Sequence, residues 1–358
     1  MLTNTDGRSF DVIEITNEMP HNRRGGVGSV IDALMTGLGV SGLRVLWFLM
    51  DHGYTLAQIH AILERYPSVA IGNAGDLRTF QAPLVHLHSY QENADIQMSL
   101  ADRKVVCTIH SLLALEERTN EVSLGDAVAW QEALIRFSTR VVLISDAERG
   151  KYLDLGYHRL NPHTSVIHHG IAAPRAYRAP RGKRVLGFCG RLVPRKHPEY
   201  VQMILNEDGF QDRRTLIAGR GFSPYARDLL RDRDLESRVD FLGWCAGPRL
   251  EAFFDAIDVL AVPSTYEPFG LVALEAACRG VPVVCTRVDG LIEVLGDHAF
   301  YCRDTTYEAF RESMLAWNGA SRHEIATRSA GARRRYETRF TDRIMAQAYC
   351  RLFADLTS

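Results

Sequence analysis

Two carboxylates and a run of backbone amides mark the stretch of this chain with the most chemistry in it. Glu267 and Glu275 bracket the segment EPFGLVALE, and Pro268 and Gly280 punctuate a helix expected over Leu271–Arg279. The leading N–H groups of such a helix, on Phe269, Gly270, Leu271 and Val272, lack intrahelical partners and point outward with the positive end of the helix dipole. That arrangement is an anion cradle, and Gly270 lets a ligand approach closely. Carboxylates on both sides of a phosphate cradle suit a ligand with hydroxyls on both sides of its phosphates. A nucleotide sugar has that layout: ribose, diphosphate, hexose. Read alone, the pattern fits equally well a Glu267 that only complements the dipole and a Glu275 that is only solvated.

Other residues of useful type are spread along the chain. Arg191 and Lys196 follow the glycine-terminated run VLGFCG, a spacing that decides nothing alone because surface basic residues are usually just solvated. Gly25, Gly26 and Gly28 close the loop TNEMPHNRRGGVGS, where they could cradle phosphate or serve as a plain turn; the dinucleotide pattern GxGxxG is not completed. His88, Ser89 and Tyr90 end one apolar run, and His110 and Ser111 end another. His86 reads as a satisfied partner of backbone groups. Asp232 and Asp234 spell DxD inside the charged run LLRDRDLESR, which reads as a solvated helix face rather than a metal site.

The elements that must position these residues alternate. Strand patterns at Phe10–Ile15, Leu43–Phe48, Leu84–Leu87, Lys104–Ile109 and Arg140–Ile144 are separated by helical stretches, one of them from Val30 to about Leu38. Further strands are expected at Ser165–His168, from Val185, in Thr215–Gly221, in Ser237–Trp244, at Val259–Val262 and at Val281–Cys285. Alternation of this kind predicts parallel, doubly wound sheets, which bind ligands at the carboxyl ends of their strands.

A chain of 358 residues is natural for two domains. The Pro, Gly and basic segment at 173–184 reads as their linker, giving domains over 1–172 and 185–340 and a closing helix over about 341–358. The opening residues lack a basic segment followed by an apolar core, and no apolar run approaches a membrane span, so a cytoplasmic protein is expected. Seven scattered cysteines without CxxC spacing read as reduced thiols and argue against zinc. Up to residue 172 there are 14 Lys and Arg against 19 Asp and Glu; the remainder has 28 against 24. An acidic first half argues against nucleic acid or an acidic membrane surface as its partner, and a basic second half fits an anionic donor.

The stretch EPFGLVALEA, with the later VDGLIE, resembles the paired-glutamate element and the following Gly-Gly-Leu-Pro-Glu turn of retaining glycosyltransferases of family 4; Asp289 and Ile292 replace the first Gly and the Pro. The resemblance implies the GT-B fold, α/β with two Rossmann-like doubly wound domains facing a central cleft. It gives Glu267 the donor-sugar hydroxyls and Glu275 the ribose. GRLVPRKH resembles the family's segment whose Arg and Lys clamp the donor diphosphate, here Arg191 and Lys196, with His197 in place of a Gly. A guanidinium and an ammonium suit a leaving group whose charge grows as the glycosidic bond breaks. VVCTIHS resembles the strand whose histidine, here His110, lies near the reacting carbon and hydrogen-bonds the sugar, and VIHHGI occupies the place of a Val-Ile-Pro-Asn-Gly crossover, with His168 and His169 in place of Pro-Asn.

By the same resemblance Gly26 and Gly28 approach the donor phosphates, Arg238 lies beside the nucleobase, and Asn17, His21, His88 and Tyr90 face the acceptor. The implied reaction moves a hexose from a nucleotide diphosphate sugar, a UDP-sugar by family frequency, to a small polar acceptor such as a cyclitol, aminocyclitol or natural-product intermediate. No cofactor is implied and no metal is needed for the chemistry. A homodimer is allowed but not dictated. A lipid-directed transferase of the same fold, a nucleotide-sugar epimerase or hydrolase, and a non-catalytic sugar-nucleotide sensor stay open as alternatives.

Overall fold

The computed structural model describes residues 1–5, 7–16, 26–50, 54–88, 99–100, 102–174, 177, 182–221 and 237–358. The chain divides into two compact units. Met1–Leu115, Ser123–Gly170 and Asp342–Ser358 form the first, and Glu116–Val122 with Ile171–Thr341 form the second.

The first unit is built on eight strands: β1 (Leu2–Thr3), β2 (Val12–Thr16), β3 (Val45–Met50), β4 (Val69–Gly72), β5 (Leu84–His88), β6 (Lys104–Ile109), β7 (Arg140–Leu143) and β8 (Thr164–Val166). They form one sheet in the order β1-β4-β3-β2-β5-β6-β7-β8, with β1 antiparallel to β4 and the other pairs parallel. The central strands are buried on both faces, mostly by Val, Ile and Leu, with Glu14 of β2 and His86 and His88 of β5 buried among them. The strand order reverses between β2 and β5, the place where an open α/β sheet opens a crevice.

Two expected strands begin later than their patterns suggest. The loop before β3 is closed by Arg44 N donating to Asp11 Oδ2 at 2.8 Å, so the β2–β3 ladder opens at Val12 and Val45. The short β1 and β4 carry too few residues to show a period and were not anticipated. The helix Val27–Gly39 packs on the carboxy-terminal helix Asp342–Thr357; a Cβ on Gly37 would lie 2.4 Å from that of Ala346, so the contact requires glycine.

The second unit holds β9 (Val185–Cys189), β10 (Arg214–Ala218), β11 (Val239–Gly243), β12 (Val259–Val262), β13 (Val283–Thr286) and β14 (Phe300–Cys302). All pairs are parallel, in the order β11-β10-β9-β12-β13-β14, so the order reverses between β9 and β12. The β13 strand starts two residues after its apolar pattern does. Pro282 has no N–H to give the ladder, though its carbonyl accepts from Leu260 N at 2.9 Å. Trp317, Phe310 and Phe210 fill the core beneath the sheet. All seven cysteines are unpaired thiols. Among the described residues no helix is long and apolar enough to cross a membrane.

Candidate functional site

The site of the second unit is assembled where β9 and β12 separate. After β9 the backbone passes so close to the loop after β10 that a Cβ on Gly219 would lie 1.9 Å from Gly190 O. Leu192 N then donates to Arg220 O, and Pro194–Lys196 form a single 3-10 turn. His197 ends that turn at φ 44°, in the left-handed region, where the ring is held by Glu199 at 2.9 Å and stacks on Tyr200. The turn sends Arg195 and Lys196 inward, 3% and 8% exposed.

The loop after β12 meets them. Thr265 N donates to Arg195 O, and Glu267 is buried behind it. Glu267 is held by its backbone on both sides: its N–H donates to Asp289 Oδ2 at 3.1 Å and its carbonyl accepts from Gly290 N at 3.1 Å. Asp289, like His197, has left-handed backbone, at φ 43°. Both positions at which the resemblance led one to expect a glycine therefore have a glycine-like conformation, and His and Asp enter that region more readily than most residue types.

The buried charges alternate. Lys196 Nζ lies 2.7 Å from Glu267 Oε2, which also accepts from Ser264 Oγ at 3.3 Å and lies 4.0 Å from Arg195 Nη1. Arg195 Nη2 reaches Glu116 Oε1 at 2.7 Å, and Arg191 Nη2 reaches both oxygens of Glu116 at 3.1 and 2.9 Å. Burial works against the Glu267 carboxylate, but Lys196 and Arg195 outweigh it and hold its pKa below the usual value. Burial also draws the Lys196 pKa down, against the upward pull of Glu267. Arg191, Arg195 and Lys196 outnumber Glu116 and Glu267, so the cluster is net positive, and the charge-assisted bonds that its cations make to carboxylates are of the kind they also make to phosphate.

Gly270 takes φ 89° and starts the helix Leu271–Arg279, whose amino terminus carries no side-chain cap; Phe269 beside it is buried against Phe340. Leu271, Val272 and Glu275 are half-buried on that helix. Arg191, Lys196, Glu267 and the Phe269–Val272 turn are thus carried by the two loops that leave β9 and β12. Arg238 is not among them. It sits at the amino end of β11, where its guanidinium donates to Leu205 O, Phe210 O and Gln211 O, so the expected nucleobase contact is replaced by a structural one. Arg195, Glu116 and Asp289 were missed. Arg195 reads as an ordinary neighbour of Lys196, and Glu116 lies 75 residues from Arg191 with no local signal.

In the first unit, Gly26 is exposed and Gly28 buried at the start of the helix Val27–Gly39. Asn17, His21, Tyr90 and the Asp232–Asp234 pair lie outside the described residues. His88 and His110 are held by other side chains rather than presented outward. Glu14 Oε2 is 2.9 Å from His88 Nε2 and 2.8 Å from His86 Nδ1; His88 Nδ1 meets His110 Nε2 at 3.3 Å, and His110 Nδ1 meets His169 Nε2 at 3.1 Å. Both ring nitrogens of His88 and of His110 are therefore engaged inside the unit. That corrects the expectation that His88 binds the acceptor and His110 a sugar hydroxyl directly. His86 is held through Thr108 Oγ1 at 2.7 Å, not by backbone groups. Open cavities of about 310 Å³ beside Arg287 and Tyr301, and about 750 Å³ beside Phe10 and Arg103, lie away from these clusters within their units.

Two α/β units, each with a doubly wound parallel sheet, define a GT-B fold. Residues 172–324 match the family described as glycosyl transferases group 1, so the chain carries a domain of that type. It is 37% identical over 118 residues to an uncharacterized glycosyltransferase of Methanocaldococcus jannaschii, covering 32% of this chain and 30% of that one. It is 32% identical over 248 residues to the D-inositol 3-phosphate glycosyltransferase of Kineococcus radiotolerans, covering 60% and 57%. The matched segment thus spans less than two thirds of either relative. Among solved structures, Anabaena HepE in complex with UDP and glucose superposes with a TM-score of 0.73 at 18% identity, over 96% of this chain and 99% of that one.

Proposed function

We propose that this chain is a retaining hexosyltransferase of the family 4 type, moving a sugar from a nucleotide diphosphate donor to a hydroxyl of a small polar acceptor. The observation that carries this reading is the buried Lys196–Glu267 pair, 2.7 Å apart, at the β9/β12 switch point and beside the uncapped amino terminus of the Leu271–Arg279 helix. Lys196, Arg191 and the helix amides would take the diphosphate as its charge develops, and Glu267, released from Lys196, would take hydroxyls of the sugar. Glu275 is the corresponding partner for the ribose. As the resemblance to family 4 implies, the leaving phosphate would receive the acceptor's proton on the same face.

A uridine donor, UDP-glucose or UDP-GlcNAc, is supported by the UDP and glucose bound to HepE. A cyclitol or cyclitol phosphate acceptor is supported by the name of the Kineococcus relative. A thermal-shift panel of UDP, GDP, ADP and TDP sugars identifies the donor, since tight binding raises the melting temperature. Nucleotide release is then followed with and without myo-inositol and its phosphates. Release that requires the acceptor and yields a product of retained anomeric configuration supports the reading. Release without acceptor identifies a hydrolase or epimerase, and a panel in which no donor shifts the melting temperature sinks the proposal.

A further inference from the structure

Arg191 stands half in solvent and is held at one nitrogen. Its side chain is 40% exposed, and its contacts to both oxygens of Glu116, at 3.1 and 2.9 Å, come from Nη2 alone. Its Nε and Nη1 N–H groups meet no partner among the described residues. Glu116 is the opposite case. It is 5% exposed, on the segment Glu116–Val122 that folds with the second unit. Besides Arg191, Arg195 Nη2 reaches its Oε1 at 2.7 Å, and Asn120 Nδ2, one helical turn on, reaches its Oε2 at 3.1 Å. Arg195 is itself anchored: Nη1 donates to Tyr266 O, the guanidinium lies over the Tyr266 ring, and its carbonyl accepts from Thr265 N. One carboxylate thus ties the arginine of the β9 loop to the β12 loop, next to Glu267. Withdrawing Glu116 would strand the buried Arg195, whereas the unpartnered N–H groups of Arg191 can take a phosphate with Glu116 in place.

We infer that Glu116 is a positioning residue of the diphosphate clamp: it acts through Arg191, fixing the guanidinium by Nη2 so that Nε and Nη1 are offered to a phosphate. A guanidinium is a rigid planar fork on a flexible stem, so one held nitrogen sets the direction of the other two. An unheld Arg191 would lose its rotamer freedom on binding, and Glu116 removes that cost before the ligand arrives. The brace does not cancel the attraction, because Arg191, Arg195 and Lys196 still exceed Glu116 and Glu267 in charge. Only a group that accepts at both atoms fits the place. Arg191 Nη2 meets both oxygens, so whichever way the amide of Glu116→Gln is turned, its N–H groups face that nitrogen donor to donor. That the phosphate belongs to a sugar nucleotide rests on the proposed function; the fixing of Arg191 does not.

The fixing is read without ligand from proton–nitrogen spectra of arginine-labelled protein, with Arg191 assigned by the signal missing in Arg191→Lys. A guanidinium held at Nη2 turns slowly about its Nε–Cζ bond. The parent is therefore expected to show separate Nη1 and Nη2 signals for Arg191, and Glu116→Gln a single averaged one. An averaged signal in the parent overturns the inference even if Glu116→Gln does not fold, and separate signals kept in a folded Glu116→Gln overturn it too. Calorimetry with UDP, GDP, ADP and TDP reads the ligand half. The diphosphate that binds the parent is expected to bind Glu116→Gln about tenfold more weakly, with the matching monophosphate within about threefold. In an Arg191→Met background the same change should cost less than about twofold. Unchanged diphosphate binding in Glu116→Gln overturns the inference, and tighter binding does so by showing that Glu116 competes for Arg191. An equal loss in the Arg191→Met background shows that Glu116 does not act through Arg191. A parent that binds none of the four diphosphates sinks the proposed function and the ligand half with it, while the spectra still decide whether Glu116 holds Arg191.

Discussion

Lys196 and Glu267 neutralise each other across 2.7 Å in the interior of the second unit. Two groups expected to hold different parts of one ligand are therefore each other's partner in the protein alone. The pair is both a binding device and a structural one. Removing either partner strands a buried charge, and such losses run to about 3–5 kcal/mol, whereas replacing both with apolar groups is often close to neutral. Lys196→Met and Glu267→Met are each expected to fall in that range in chemical denaturation. The double variant should recover most of the loss while remaining inactive. Additive losses would show that the two side chains do not share an interaction.

Asp289 holds the Glu267 backbone from a left-handed position. Asn keeps both the acceptor oxygen and the tolerance for positive φ, so Asp289→Asn should melt within a degree or two of the parent. Leu loses the acceptor and is strained at φ 43°, and Asp289→Leu is expected to cost about 2–3 kcal/mol. That corresponds to roughly 5–10 °C in melting temperature for a domain of this size. Equal melting temperatures for the two variants would show that the contact is incidental.

Gly219 crosses the carbonyl of Gly190 with no room for a side chain. Gly219→Ala must push apart the loops after β9 and β10, costing about 1–3 kcal/mol as overpacking does. It should also weaken donor binding, because Arg191 follows directly on Gly190. Gly39→Ala is the control, since nothing lies within 4 Å of a Cβ there. A donor-induced thermal shift unchanged in Gly219→Ala refutes the coupling.

Much of this was legible in the sequence because the signals were local. The β12 strand matches its apolar run and the helix Leu271–Arg279 matches its run of helix formers and stops at Gly280, although Pro268 lies three residues before the first helical position rather than on it, and Arg191, Lys196 and Glu267 come out on the loops of one switch point. What was not legible depends on long-range pairing. Glu116 sits on an unremarkable charged helix, and only folding brings it between Arg191 and Arg195. Glu14 carries no local signal within its strand, and only the register that sets it opposite His86 makes it the head of a histidine chain. Arg238 misled because its neighbours in sequence lie near a ligand edge while its own position is at the other end of the strand.

That histidine chain makes stability depend on pH in a fixed direction. His88 titrates at about 4 and His169 at about 3 in the native protein, against about 6.5 in an unfolded chain. Above pH 6.5 both states hold the rings neutral and nothing is lost. As pH falls from there, the unfolded chain takes up protons that the native state refuses, so stability declines. Each ring contributes up to about 1.4 kcal/mol per pH unit, or about 3 kcal/mol per unit for the two together between roughly pH 6 and 4.5. Glu14, at about 2 against 4.5, adds to the decline below pH 4.5, with the same sign. Urea unfolding at half-unit intervals from pH 7.5 to 4.5 measures the slope, and His169→Asn should reduce it by about one proton's worth. A flat profile over that range would mean the rings are solvated in the native state, and the buried chain from Glu14 to His169 would not survive it.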